Sequence, residues 1–366
     1  MEKSIYAGIM TGTSIDGIDA LAVDFASQPP AIGKLCQAPF ADDLRDLLLQ
    51  LQNSGADELA LAADAANRLA IASARTLATL LAEQQIDAAQ VAAIGLHGQT
   101  VRHNPAAGWT IQLANGALLA QLSGIDVVCD FRSSDIGRGG QGAPLAPAFH
   151  QLLFAGKKPR RIVNIGGMAN ITVLDGNGNG RIAYDTGPGC ALLDAMAERH
   201  LGCRMDENGA WAAGASADAD LLDRMLAHPF FAAQPPKSCG RDQFNITWLD
   251  GLAGSLDPQT VQATLLELSA QSIAAAIGAA AEVGGDAIIC GGGARNEALV
   301  ARISELAHPL ETKACREHGY QPECIEPAAF AYFAKLRIEE KELPVSWATG
   351  AKADGCAGAV YRAAKR

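Results

Sequence analysis

The sequence contains no apolar run approaching the roughly 18–20 residues that a membrane-spanning helix requires. It contains no C-x-x-C pair either. Its nine cysteines are scattered without metal-ligand spacing, and the odd count points to reduced thiols in a cytoplasmic protein. Basic charge is scarce. The formal net charge is −11 at pH 7, which excludes non-specific nucleic-acid binding, because that needs basic surface to displace counterions. An anionic ligand must therefore be met locally by arginine, backbone N–H groups and a metal ion. MEKSIY passes straight into an apolar strand, so no signal peptide is expected. Two nucleotide signatures are also missing. No lysine follows the first glycine-rich corner in the manner of G-x-x-x-x-G-K-[ST]. No strand opens into G-x-G-x-x-G, which disfavours a dinucleotide dehydrogenase.

What is present is length, apolar content and glycine. The chain has 366 residues, enough for two domains, and is 49 % hydrophobic. Its 38 glycines exceed the usual share of about 7 % and gather in a few loops. The first such loop lies in GIMTGTSIDGIDA, between an expected strand at Ile5–Met10 and a partner at Asp19–Phe25. A plain hairpin turn accounts for Gly and Asp there. A phosphate cradle of the strand–turn–strand kind also does: glycines admit the phosphate, N–H groups and hydroxyls donate to it, and a carboxylate holds hydrated Mg²⁺.

Lys157-Lys158-Pro159 reads as a boundary, dividing the chain into residues 1–157 and 158–366. The layout then repeats. Arg161–Ile165 reads as a strand, GGMAN as a glycine corner, Ile171–Leu174 and Ile182–Tyr184 as strands, and DTGPG as the approach to a helix at Cys190–His200. The chain is thus expected to be α/β, with two domains that each begin in a β-meander.

Four stretches carry candidate chemistry. In VNIGGMANIT, Gly166 and Gly167 admit a phosphate and Asn170 caps or donates. Asp185, in DTGPG, is either a helix N-cap or a general base. In CGGGARN, the run Gly291-Gly292-Gly293 before Asn296 suits a flat purine or a phosphate on bare backbone, or a plain strand-to-helix turn. GLHGQTVRHNP and the DFRSSDIGRGGQGAP loop supply His97 and Gln99 for sugar hydroxyls and Arg132 for a carboxylate; alternatively, Arg132 pairs with Asp130 or Asp135. His97 and His103 lack zinc-ligand spacing.

Taken in order, GIMTGTSIDGIDA, LHGQTVRHNP, DFRSSDIGRGGQGAPLAP, NIGGMANIT, DTGPG, CGGGARN and IEPAAFAYFA resemble the 1,6-anhydro-N-acetylmuramic acid kinases over essentially the whole chain. The resemblance implies the actin-like, sugar-kinase fold of two ribonuclease H-like domains around a central cleft. It implies an ATP- and Mg²⁺-dependent kinase of peptidoglycan recycling. That enzyme opens the sugar's internal C1–O6 bridge with water and phosphorylates O6. Asp185 is then the base that activates the water. Gly12, Thr13, Ser14, Ile15, Asp16, Gly17, Ile18 and Asp19 form the first phosphate loop, with Asp16 on the metal side through water. Gly166, Gly167 and Asn170 belong to the second phosphate region, and Gly291, Gly292, Gly293 and Asn296 to the nucleotide side. Arg132 meets the lactyl carboxylate, Glu326 lies in the C-terminal active-site motif, and His97 and Gln99 contact the sugar. The resemblance also implies a cytoplasmic homodimer. One departure is visible: Pro344-Val-Ser-Trp-Ala-Thr-Gly350 stands where Pro-Ser-Val-Thr-Gly is expected. Rival readings are a kinase or ATP-driven hydrolase of the same fold with another small substrate, and a non-catalytic, filament-forming nucleotide switch.

Overall fold

A computed structural model describes residues 3–12, 15–241, 243–279 and 284–364. The chain divides into two compact units, residues 1–153 with 323–366 and residues 154–322. This corrects the expected assignment of 158–366 to one domain: Glu323–Arg366 returns to the first unit.

The first unit is built on a mixed sheet. Strands β1 (Ile5–Met10), β2 (Gly17–Asp24), β3 (Ala31–Ile32) and β4 (Cys36–Pro39) form an antiparallel meander, with β3 and β4 both pairing β2. Strand β5 (Val91–Leu96) runs parallel to β1. A hairpin, β6 (Gln99–Asn104) and β7 (Trp109–Leu113), follows as a separate two-stranded sheet. Strand β8 (Val127–Cys129) then adds parallel to β5, and the late strand Ala359–Tyr361 closes that edge antiparallel to β8.

Helices cover the sheet because their apolar residues recur at helical spacing. Along Glu58–Glu83, the buried positions Ala65, Leu69, Ser73, Thr76, Leu77, Leu80 and Leu81 form one stripe. The helix Ile325–Ile338 lies unusually close to the sheet. A Cβ on Gly8 would strike the Pro327 carbonyl oxygen, and one on Gly95 the Phe330 carbonyl oxygen. These two glycines let helix backbone meet strand backbone, which explains why the C-terminal segment belongs to the first unit.

The second unit repeats the plan. Strands β9 (Arg160–Ile165), β10 (Met168–Leu174) and β11 (Gly180–Pro188) form an antiparallel meander. Strands β12 (Asp286–Cys290) and β13 (Glu311–Ala314) extend it in parallel, giving the order β11-β10-β9-β12-β13. In the first unit, β3-β2-β1-β5-β8 has the same order and the same senses. The repeated layout legible in the sequence is therefore a repeated five-stranded sheet of ribonuclease H-like order, and the expected α/β class is observed. The 22-residue helix Pro258–Ala279 is buried on most of its circumference, against β10, β11 and the helices Ala191–Leu201 and Glu297–Ala307.

Candidate active site

In the first unit the polar candidates converge where β1 and β5 end. Thr11, next after β1, is buried and donates its hydroxyl to the Gly98 carbonyl at 2.7 Å. The His97 N–H donates to the Ile9 carbonyl at 2.9 Å, continuing the ladder one step beyond the strands. Gln99 Nε2 donates to the Gly12 carbonyl at 3.2 Å, while its Oε1 is buried without a hydrogen-bond partner among the described residues. The root of the Gly12–Asp19 turn is thus tied to the 97–99 turn by side chains of both.

His97 is buried, and its ring lies 4.8 Å from that of Phe330. Nδ1 is 3.1 Å from the Thr11 carbonyl and Nε2 is 3.0 Å from Arg132 Nη2. A carbonyl only accepts and a guanidinium only donates, so these partners assign the proton to Nδ1 and leave Nε2 as acceptor. Burial, reinforced by the Arg132 charge, pushes the imidazole pKa down to about 3, which keeps it neutral. Arg132 Nη1 donates to the Gly142 carbonyl at 2.8 Å. Arg132 and Asp135 do not lie on a loop as expected; they lie on a short helix, Phe131–Gly137.

The phosphate-loop candidates separate by environment. Thr13 and Ser14 lie outside the described residues. Gly12 is half-buried and Asp16 exposed, and the Ile15 N–H closes a turn on the Gly12 carbonyl at 3.2 Å. Ile15 and Ile18 are buried in the core, and a Cβ on Gly17 would collide with the Ala38 carbonyl oxygen. Asp19 faces Gln37 across β2 and β4 and accepts from its Nε2 at 2.8 Å. Ile15, Gly17 and Ile18 therefore shape the turn, and Gly12 and Asp16 stand at its accessible side. Glu326 sits half-buried in the first turn of the helix Ile325–Ile338, where the helix dipole favours a carboxylate.

In the second unit Asp185 lies within β11, opposite Asn170 of β10, which in turn faces Asn164 of β9. The helix that follows begins at Ala191, with Cys190 at its N-cap. Asp185 is therefore no helix cap. Its N–H donates to the Lys237 carbonyl at 3.0 Å, and its Oδ2 accepts from the Cys239 N–H at 2.9 Å. The helix N-terminus is served instead by the glycine corner: Gly166 O accepts from Cys190 N, and Gly167 O from Gly189 N and Ala191 N. Asn164 and Asn170 each hold a buried Oδ1 without a hydrogen-bond partner among the described residues. An asparagine among the apolar residues Ile162, Val163 and Ile165 of the strand Arg160–Ile165 is the signal that could have singled out Asn164.

The CGGGARN turn divides similarly. Gly291 has φ +83°, and a Cβ there would approach Asn164 Oδ1 and Ile165 O at 2.5 Å each. A Cβ on Gly293 would press into the Ile165 side chain and lie 2.9 Å from Cys190 Sγ. Of the three glycines only Gly292 is exposed, with open space at its Cβ position. Asn296 caps the helix Glu297–Ala307 by accepting from the Leu299 N–H at 3.0 Å.

A family model described as anhydro-N-acetylmuramic acid kinase matches residues 4–363. The chain belongs to the anhydro-N-acetylmuramic acid kinase family. The family member from Thiobacillus denitrificans is 44 % identical over 368 residues, covering 99 % of this chain and 98 % of that protein. Those from Bordetella pertussis and Pseudomonas putida are 44 % and 43 % identical, covering 98 % of this chain each and 96 % and 100 % of the relatives. Among solved structures, the activator of the 2-hydroxyisocaproyl-CoA dehydratase from Clostridium difficile, with bound ADPNP, aligns over 90 % of this chain and 93 % of that one at a TM-score of 0.47 and 13 % identity. As a member of the anhydro-N-acetylmuramic acid kinase family, the chain is an ATP-dependent kinase that acts on an alcohol group.

Among the described residues no cluster of three His, Cys, Asp or Glu side chains could hold a metal ion. Mg²⁺ in kinases is generally held by one or two carboxylates, waters and substrate phosphates rather than by an all-protein cage. The exposed Asp16 carboxylate, beside the Gly12 turn, suits that mode.

Proposed function

We propose that the chain opens the 1,6-anhydro bridge of 1,6-anhydro-N-acetylmuramic acid with water and transfers the γ-phosphoryl of ATP to the released O6, giving N-acetylmuramic acid 6-phosphate and ADP. The observation that carries the reading is the setting of Asp185. This carboxylate is half-buried, is held in place by the Cys239 N–H and has no capping duty. Asp185 takes a proton from water as the water oxygen bonds to C1 and the C1–O6 bond breaks. The electron pair left on O6 forms the new bond to phosphorus, and ADP departs.

Arg132 meets the lactyl carboxylate, and His97, Gln99 and Glu326 contact the sugar. Support comes from the convergence of His97, Gln99 and Arg132 at the strand ends and from Gln99 Oε1, an acceptor with no partner among the described residues, which suits a sugar hydroxyl. Residues Gly12–Asp19 form the first phosphate loop, and Gly166, Gly167 and Asn170 the second phosphate region. Gly292 offers open backbone to the nucleotide, while Gly291, Gly293 and Asn296 shape that turn. Asp16 is the residue that would hold hydrated Mg²⁺. When bound, Mg²⁺ supplies positive charge against the phosphates. The enzyme works as a cytoplasmic homodimer in peptidoglycan recycling. Nine cysteines scattered without a C-x-x-C pair suit a reducing compartment.

The test is product mass after incubation with ATP, Mg²⁺ and the anhydro sugar in ¹⁸O-labelled water. A phosphorylated sugar with one heavy oxygen at C1 is the expected product. A phosphorylated product without label overturns the hydrolytic step, and an ATP turnover indifferent to the sugar overturns the whole reading.

A further inference from the structure

The departing segment Pro344–Gly350 is stitched to the loop that follows the Arg132 helix. The Gln141 N–H donates to the Thr349 carbonyl at 2.9 Å, and the Lys352 N–H donates to the Arg138 carbonyl at 3.1 Å. Between these links lies a fully buried side-chain contact. Thr349 Oγ1 donates to Asp135 Oδ1 at 2.7 Å, with Thr349 0 % and Asp135 1 % exposed. The other oxygen, Asp135 Oδ2, accepts from the Gly142 N–H, also at 2.7 Å. Gly142 is the residue whose carbonyl accepts from Arg132 Nη1. A Cβ on Gly140 would collide with Asp135 Oδ2. The glycine-rich loop is thus folded around this one carboxylate.

The segment is built to hold its end of the chain. The Val345 and Ser346 N–H groups both donate to Asp354 Oδ1, at 2.9 and 2.8 Å. The Trp347 indole donates to the Pro344 carbonyl at 3.1 Å, and Gly350, at φ +76°, ends the short helix Ser346–Thr349. These bonds hold the segment locally, and Thr349 at its end reaches Asp135.

From this connectivity we infer that Thr349 and Asp135 are positioning residues that set the Arg132 guanidinium and thereby the enzyme's preference for a sugar bearing a carboxylate. The guanidinium is held from two sides. On one, Nη2 meets neutral His97, which is anchored on Thr11. On the other, Nη1 meets Gly142, which Asp135 and Thr349 hold in place. A planar fork recognises a carboxylate only in the right orientation. A shift of about 1 Å can cost on the order of 100-fold in rate. The inference rests on the reading of Arg132 as the carboxylate partner.

The experiment compares kcat/KM for 1,6-anhydro-N-acetylmuramic acid with that for its lactyl methyl ester, in which the carboxylate charge is removed. The ratio of the two does not depend on how much of a preparation is folded. Arg132→Gln tests the underlying reading and is expected to collapse the ratio. Thr349→Val removes the hydroxyl at nearly constant shape. It is expected to lower the ratio about 10-fold through KM for the free acid, with KM for ATP unchanged. Thr349→Ser, which restores the hydroxyl, is expected to keep the wild-type ratio. A Thr349→Val enzyme with the wild-type ratio, beside an Arg132→Gln enzyme without it, overturns the positioning role and leaves the Arg132 reading standing. An Arg132→Gln enzyme that keeps the ratio overturns the Arg132 reading, and the inference with it.

Discussion

The Asp185 carboxylate and the Cys239 backbone N–H, 54 positions apart in sequence, meet at 2.9 Å. With the neighbouring bond from Asp185 N–H to the Lys237 carbonyl, they lash the 237–239 segment along β11. The carboxylate is thereby oriented by main chain on its own side of the sheet, and the helix beyond it is capped without its help. Structural and chemical roles of the same side chain are thus separable.

Asp185→Asn keeps an oxygen for the Cys239 N–H but cannot take a proton from water. Turnover is expected to fall by about 10²–10⁴-fold, the usual worth of a general base. Thermal unfolding should shift little, since no helix cap worth about 1 kcal/mol is lost. Steady-state kinetics and calorimetry on the same preparation check this. A large drop in melting temperature with modest loss of turnover would return Asp185 to a structural role.

Gly292 and Gly293 are neighbours with opposite demands. An added methyl at 292 enters open space, whereas at 293 it meets Ile165 and Cys190. Gly292→Ala is expected to leave stability unchanged and raise KM for ATP. Gly293→Ala is expected to cost about 1–3 kcal/mol by overpacking. Urea unfolding of both variants, with ATP titrations of the folded fraction, separates the effects. Equal destabilisation by the two substitutions would contradict the packing described.

Much of this architecture could be read from local pattern. Ile5–Met10, Val91–Leu96, Trp109–Leu113 and Asp286–Cys290 are short runs bounded by turn residues, and they are strands within those bounds. The two meanders betrayed the repeated sheet, and the start of the helix Glu297–Ala307 is legible in Asn296, since Asn is a strong N-cap. The helix Phe131–Gly137 was not visible. Its entry residue, Asp130, is left-handed at φ +58° and makes no side-chain cap, and FRSSDIG has no apolar stripe. Nor could local pattern show that Glu323–Arg366 rejoins the first unit, since that depends on glycines 8 and 95 meeting a helix more than two hundred residues away. At the site, residue types named Asp185, His97 and Arg132. The Cys239 N–H and the Thr349–Asp135–Gly142 chain escaped notice because each is a long-range bond between ordinary residues.

The contact of Gly95 with the Phe330 carbonyl predicts that Gly95→Ala acts at a distance. The methyl cannot be accommodated without displacing the helix Ile325–Ile338, which carries Glu326 and the Phe330 ring packed on His97. Both stability and sugar affinity are expected to fall, the former by about 1–3 kcal/mol. Gly124→Ala is a control: nothing lies within 4 Å of its Cβ position, so only its positive φ of 70° is disturbed. Unfolding midpoints and KM for the sugar test the pair. An unperturbed Gly95→Ala enzyme would show that the sheet and helix are not in backbone contact.

Acid sensitivity follows from two buried histidines. Burial pushes His150 down to about 3, and burial together with Arg132 does the same for His97. In the unfolded chain each imidazole takes up a proton near pH 6.5. Below that value the unfolded state binds more protons than the folded state, so stability falls as pH falls and is flat above it. Each histidine contributes a slope of about 1.4 kcal/mol per pH unit. His150 lies in the helix Pro147–Phe154 and has no place among the candidate site residues, which makes it the cleaner probe. Between about pH 6.5 and about pH 5 the carboxylates with lowered pKa remain ionised and add little. His150→Gln is therefore expected to flatten the acid limb by about 1.4 kcal/mol per pH unit in this window. Urea unfolding of wild type and variant across the window gives the two slopes. Parallel slopes would mean that His150 takes up its proton in the folded protein as readily as in the unfolded chain.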